Sequence, residues 1–226
     1  VIVRDIERAY IGQELSLKSH FRDYIAEIQR TPQSDRLSYW KNYLSGVVAC
    51  NLPGDMTLIH PVPHPNTQYG WVTLPADVTD SISEICRENE MTRSVFLHAA
   101  WSLVLAHFTG MRQVCFGYIS SGRDLPVDGI EDMVGPLINM QIARVDLEKP
   151  VASLLADVSQ YHIEHLDHQH VSLAEIQHEI SSKQLFNTNI TVREARGAAS
   201  NVGSGIHLVE ISEEDPHEVS CTGIIN

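Results

Sequence analysis

The sequence predicts an α/β fold, an α+β two-layer sandwich with helices packed on a mixed β-sheet. Three observations carry this. Segments of strand period and of helix period alternate irregularly along the chain, which suggests a mixed sheet covered by helices. The stretch "QVCFGYIS" (113–120) is apolar on both alternating faces, as in a central strand covered on two sides. The stretch "TRSVFLHAAWSLVLAHFTG" (92–110) is apolar nearly all round, which predicts a buried helix closed by Gly110.

Residues 1–50 read as a helical lead-in. Within it, "SLKSHFRDYIAEIQR" places Phe21, Tyr24, Ile25 and Ile28 at helical spacing, with Ser16 or Ser19 as cap and Thr31-Pro32 as stop. "SDRLSYWKNYLSG" puts Leu37, Trp40 and Leu44 on one face, with Gly46 as a C-cap candidate. Residues 51–68, rich in Pro, His and Asn, form an irregular connection. The body, 69–226, begins with "YGWVTLP" as a strand and "DVTDSISEICRENE" as an amphipathic helix bearing Ile82, Ile85 and Cys86. After the buried helix and the central strand come a strand "INMQIARVD", a helix "PVASLLADVSQYHIEHLDH" with Pro150 in its first turn, and a short helix "SLAEIQHEI". "NTNITV", "GIHLVEI" and "SCTGIIN" read as strands, with "REARGAASNVGSG" a flexible loop between the first two.

Composition limits the function classes. The 226 residues are 43% hydrophobic and 20% charged, as in ordinary globular proteins. A formal charge of −13 without any cluster of Lys and Arg argues against nucleic-acid binding. No apolar run approaches the roughly 18 residues that span a bilayer, so no membrane partner is expected. Cys50, Cys86, Cys115 and Cys221 lack disulfide or metal spacing, which suggests reduced thiols, three of them buried, in a cytoplasmic setting.

Between the strands at 113–120 and 138–146 lies "GRDLPVDGIEDMVGPLINM", with Asp124, Asp128, Glu131 and Asp132 and a tight Gly135-Pro136. The acidic residues lack the alternating ligand positions of a calcium loop, and a solvated connection is the simpler reading. His162 and His165 share a helix face, but His162, His165, His168 and His170 do not form a zinc motif. A structural or helix C-terminal role is expected for them. There is no Gly-x-Ser-x-Gly elbow, and Gly203-Ser204-Gly205 precedes no phosphate-cradling helix. Composition and spacing alone supply no complete catalytic set, and no metal site.

The same stretch carries a family resemblance. Gly135, Ile138, Asn139 and Arg144 fit the Gly-x-x-(apolar)-Asn-x-x-x-x-Arg motif of condensation domains from nonribosomal peptide synthetases, especially fungal ones. "HQHVSLAEI" resembles a later block through His168, Gln169 and Glu175, and "LFNTNITV" another through Leu185 and Phe186. "RLSYWKNYLSG" is similar to the family's Tyr-Trp-x-x-x-Leu segment, and "VIVRDIERAY" to the segment just downstream of the family's catalytic stretch. The Asp-Phe-Gly-Trp-Gly block of plant-type acyltransferases is absent.

The resemblance implies a chloramphenicol-acetyltransferase-like lobe, the C-terminal half of a condensation domain. That domain forms an amide or ester bond between a carrier-bound acyl thioester and an acceptor. The family's His-His-x-x-x-Asp-Gly signature does not occur here and is expected upstream of Val1, so no catalytic residue is assigned to this chain. Gly135 and Asn139 are expected in the wall of the substrate tunnel. Arg123 is expected to brace the two lobes, with Arg93 in reserve. His168 and Gln169 are expected to be structural. No cofactor is expected to bind directly; phosphopantetheine comes on partner carrier proteins. The implied partners are the N-terminal lobe, donor and acceptor carrier domains and an adjacent adenylation domain. The alternative is a non-catalytic condensation-like scaffold or carrier-docking module.

Overall fold

A computed structural model describes residues 2–15, 19–53, 72–182, 184–192 and 221–225. The lead-in forms α1 (Ile2–Tyr10), α2 (Phe21–Ile28) and α3 (Gln33–Tyr43). Ser19 does not cap α2. Its hydroxyl donates to the Gly129 carbonyl at 3.1 Å, and His20 occupies the cap position without a side-chain bond. Ser16 lies outside the described residues. Helix α3 ends at Leu44, and Gly46 turns left-handed (φ 71°) two residues later. Trp40 and Leu44 are buried, and Leu37 packs against the same core.

Val72–Pro75 is not a strand. Val72 is 88% exposed, and the segment leads into α4 (Ala76–Glu88); residues 69–71 of the expected strand lie outside the described residues. Alternation of apolar residues marks a half-buried strand only where one face is covered, and both Val72 and Leu74 are exposed. Helix α5 (Arg93–Thr109) starts where the Thr92 hydroxyl accepts from Val95 N–H and ends on left-handed Gly110. It is less buried than its composition suggests, because Leu103 and Phe108 are 57% and 60% exposed. Its inner face (Val95, His98, Ala99, Ser102, Leu105) is the one packed on the sheet.

Strands β1 (Gln113–Ser120), β2 (Asn139–Asp146), β3 (Thr188–Val192) and β4 (Cys221–Ile225) form one sheet in the order β2-β1-β3-β4. The β1–β2 pair is antiparallel, from Gln113 opposite Asp146 to Ser120 opposite Asn139; β1–β3 and β3–β4 are parallel. The sheet is therefore mixed, and β1 is interior as its two apolar faces require. Residues 193–220, which include "GIHLVEI" and its preceding loop, and residues 54–71 lie outside the described residues.

Helices α5 and α6 (Val151–Leu166) pack side by side on the sheet. Helix α7 (Leu173–Glu179) begins with a capping box. The Ser172 hydroxyl accepts from Glu175 N–H, and the Glu175 carboxylate accepts from Ser172 N–H. Gly117 leaves space for neighbours, since a Cβ there would lie 2.7 Å from both Met140 Sδ and the Phe186 ring. Leu185 and Phe186 are core residues. On the outer flank of β2, Tyr43 at the end of α3 engages one residue: Arg144 N–H donates to the Tyr43 hydroxyl at 2.9 Å, and that hydroxyl donates to the Arg144 carbonyl at 3.3 Å.

Candidate functional site

The loop joining β1 to β2 has a small core of its own. Leu125, Val127, Ile130, Met133 and Leu137 turn inward and pack with Phe21, Tyr24 and Ile28 of α2. That explains how a chain segment with four carboxylates is held in one shape: its apolar side is buried and most of its charge faces outward. Two glycines make the fit possible. At Gly122 (φ 66°) a Cβ would stand 2.0 Å from the Leu137 carbonyl oxygen and 2.8 Å from the Tyr24 hydroxyl. At Gly135 it would stand 2.6 Å from the Phe21 ring. The close approach that Gly135 permits is thus to α2.

Arg123 is half-buried inside this loop, where its guanidinium donates to the carbonyls of Ile130 and, at 3.1 Å, Met133. Arg93 lies far from it in sequence, at the start of α5, donating to Ser83 at 3.0 Å. Arg4 of α1 pairs with Asp132 at 2.9 Å. Asp124 is the carboxylate that turns toward the site. It stands 3.5 Å from Gln169 Nε2, and its charge acts on Tyr24 and His170.

Asn139, at the start of β2, joins this loop to the 168–172 segment. Its amide donates to the carbonyls of Gln169 and Val171 at 2.7 and 2.8 Å, and its oxygen accepts from Met140 N–H at 2.9 Å. Gln141 reinforces the tie by donating to the same Gln169 carbonyl at 2.8 Å. The Gln169 side chain is buried and donates to the Leu166 carbonyl at 3.0 Å. His168 stacks on Tyr39 with ring centroids 3.9 Å apart, and its carbonyl accepts from Trp40 Nε1. Arg144, the last residue of the Gly-to-Arg motif, donates to the carbonyls of Tyr43 and Ser45 at 2.8 and 2.9 Å, satisfying the C-terminal end of α3.

Between α2 and residues 136–139 runs a cleft of about 250 Å³, lined by Tyr24, Ile25, Pro136, Ile138, Asn139 and His170 among others. Tyr24 and His170 were not separable in the sequence as site residues. Tyr24 reads as one apolar position of α2, and His170 as one member of a histidine series. The available signal was that a buried tyrosine hydroxyl requires a partner. Tyr24 Oη lies 3.3 Å from both the Leu137 carbonyl and His170 Nδ1. Burial raises the Tyr24 phenol above its ordinary range. Burial, helped by the Arg36 charge and opposed by Asp124, lowers His170 to about 4.

The other histidines form a separate interior network. His98 Nδ1 lies 2.7 Å from the Tyr161 hydroxyl and 2.9 Å from His162 Nε2, and the Tyr118 hydroxyl lies 2.6 Å from His165 Nδ1. Burial lowers His162 to about 4 and His165 to about 3, and His98 also shifts down. Of the two roles expected for these histidines, the structural one fits His162 and His165, because both are tied into this network and burial disfavours their charged forms. Among the described residues, no group of three or more His, Cys, Asp or Glu side chains could hold a metal ion.

The condensation-domain family model matches residues 1–223. The chain belongs to the condensation-domain family. Among curated relatives of this condensation domain, nonribosomal peptide synthetase 8 of Aspergillus fumigatus is 32% identical over 96% of the chain, and D-lysergyl-peptide-synthetase subunit 1 of Epichloe festucae var. lolii is 37% identical over 92%. The chain spans only 3% and 6% of the length of these two relatives. A solved structure of the first condensation domain of the calcium-dependent antibiotic synthetase, with substrate analogue 2a, matches at TM-score 0.64 and 14% identity over 83% of this chain and 44% of that one. The condensation domain of the Monacolin K polyketide synthase matches at TM-score 0.61 and 20% identity, over 82% and 48%. These likenesses show the fold, that of chloramphenicol-acetyltransferase-like condensation domains.

Proposed function

We propose that residues 1–226 form the C-terminal lobe of a nonribosomal peptide synthetase condensation domain, which joins a carrier-tethered acyl or peptidyl thioester to an acceptor amine. The observation that carries the reading is the physical union of two motif blocks: Asn139 of the first holds the backbone of the second through Gln169 and Val171. A thioester is already reactive, so the domain's task is to bring carbonyl and amine within about 3–3.5 Å in the right orientation. A histidine contributed by the N-terminal lobe handles or orients the proton. The present chain contributes a fixed wall, with Gly135 and Asn139 in the tunnel and Arg123 bracing the loop against the other lobe.

Several features support this arrangement. Ile2, Ile6 and Tyr10 repeat every fourth residue on α1 and are exposed, an apolar stripe suited to the N-terminal lobe. On this reading phosphopantetheine arms on donor and acceptor carrier domains deliver the substrates, no cofactor binds the chain itself, and an adenylation domain adjoins. Cys50, Cys86 and Cys115 are free buried thiols, in keeping with a cytoplasmic synthetase. Among the described residues, no helix is long and apolar enough to cross a membrane.

The test is reconstitution with loaded donor and acceptor carriers. The complete two-lobe domain should form the amide, and residues 1–226 alone should form none. Product from residues 1–226 alone, or none from the complete domain with its own carriers, overturns the reading.

A further inference from the structure

Tyr24 is 3% exposed, yet its hydroxyl touches two polar groups that cannot both accept from it. The Leu137 carbonyl can only accept, so the single phenolic proton goes there. His170 Nδ1 must then carry a proton and donate to the Tyr24 oxygen. This order of donors fixes the His170 ring as its Nδ1–H tautomer. It leaves Nε2 as a bare lone pair, and that atom is buried without a hydrogen-bond partner.

The latch acts on one short piece of backbone. Leu137 lies between Gly135, which rests on the Phe21 ring, and Asn139, which is bound to the 169–171 backbone. Gly122 is shaped to let the phenol through, since any Cβ there would stand 2.8 Å from the Tyr24 hydroxyl. The 136–139 segment is thus held at three points, and Tyr24 with His170 supplies the middle one from two elements distant in sequence, α2 and the loop before α7.

We propose that Tyr24 and His170 are positioning residues for amide formation, a paired latch that sets the Pro136–Asn139 backbone along the cleft. The inference rests on the condensation reading above. Neither side chain performs chemistry on the substrate; both act through the Leu137 carbonyl. Because misplacement of about 1 Å can cost on the order of a hundredfold in rate, two long hydrogen bonds can matter far more for turnover than for folding. The latch works with a neutral imidazole, and burial keeps His170 uncharged at neutral pH. The charged and titratable groups around it are Arg36, Asp124 and Tyr24 itself.

The test uses the complete condensation domain with its loaded carriers and follows kcat, KM and Tm together. Tyr24→Phe keeps the ring and removes the latch; kcat should fall about ten- to a hundredfold, with KM within about threefold and Tm within a few degrees. His170→Asn retains an amide N–H where Nδ1–H stood and should keep a third or more of the wild-type kcat. His170→Leu should lose as much as Tyr24→Phe. The double variant Tyr24→Phe/His170→Leu should be no worse than either single one, as members of one unit behave. Wild-type kcat in Tyr24→Phe, a loss that only follows unfolding, or multiplying losses in the double variant would each overturn the latch while leaving the condensation reading intact. If the wild-type domain itself forms no amide, both fall together.

Discussion

Asn139 commits both amide protons to the Gln169 and Val171 carbonyls and its oxygen to Met140 N–H. Asn139→Asp should therefore be more damaging than Asn139→Ala. The alanine leaves carbonyls with one fewer donor, whereas the aspartate turns a donor into a charged acceptor facing two other acceptors. We expect Asn139→Ala to cost about 1–3 kcal/mol in urea unfolding and Asn139→Asp to cost more. Equal losses would show that the carbonyl contacts are unimportant. At this scale the sequence singled out residues by motif and said less about what they touch. Asn139, Arg144 and Glu175 stand out by motif, yet Arg144 serves the end of α3 and Glu175 the start of α7. The capping role of Glu175 was legible in Ser-Leu-Ala-Glu itself. The role of Arg144 was not, because the carbonyls it binds lie some hundred residues away in sequence.

Helices and central strands were legible because each carries its own period. Helix α5 ends on Gly110, and β1 is interior, as the pattern predicts. Pattern could not show which side of α5 is covered, since Leu103 and Phe108 are as apolar as Val95 and Leu105. Nor could it show that Val72 and Leu74 stay exposed. The loop between β1 and β2 looked like an open acidic connection; its inward apolar residues are spaced irregularly and become a core only under α2. The two loop glycines differ in a measurable way. Gly122→Ala adds a side chain at positive φ directly against the Leu137 backbone, which cannot move without breaking the loop. Gly135→Ala meets the edge of a ring that can rotate. Gly122→Ala should lower stability by about 2 kcal/mol or more, and Gly135→Ala by less, read as a larger Tm drop for the former. The reverse order would mean that the loop is not seated on α2 as described.

Over the whole molecule, the pH response is set by buried neutral histidines. His162 and His165 are lowered to about 4 and 3, and His98 also shifts down. An unfolded chain takes up protons on these groups near pH 6.5, whereas the folded chain resists until far lower pH. Between those limits the unfolded state binds more protons, so stability falls as the pH falls. Tm should be nearly constant just above pH 7 and decline by several degrees per pH unit on the order of pH 6 to 4. His162→Gln, which keeps a polar end near His98, should make that decline shallower. An unchanged slope would place the acid sensitivity elsewhere.

The hydroxyl of Tyr43, set against Arg144 on the flank of β2, bears on how such a chain behaves beside copies of itself. At the end of the sheet formed by the described strands, a residue whose donor and acceptor are already engaged is poorer bait for an added strand. One phenol oxygen thereby removes one backbone donor and one acceptor from what that edge can offer to another strand.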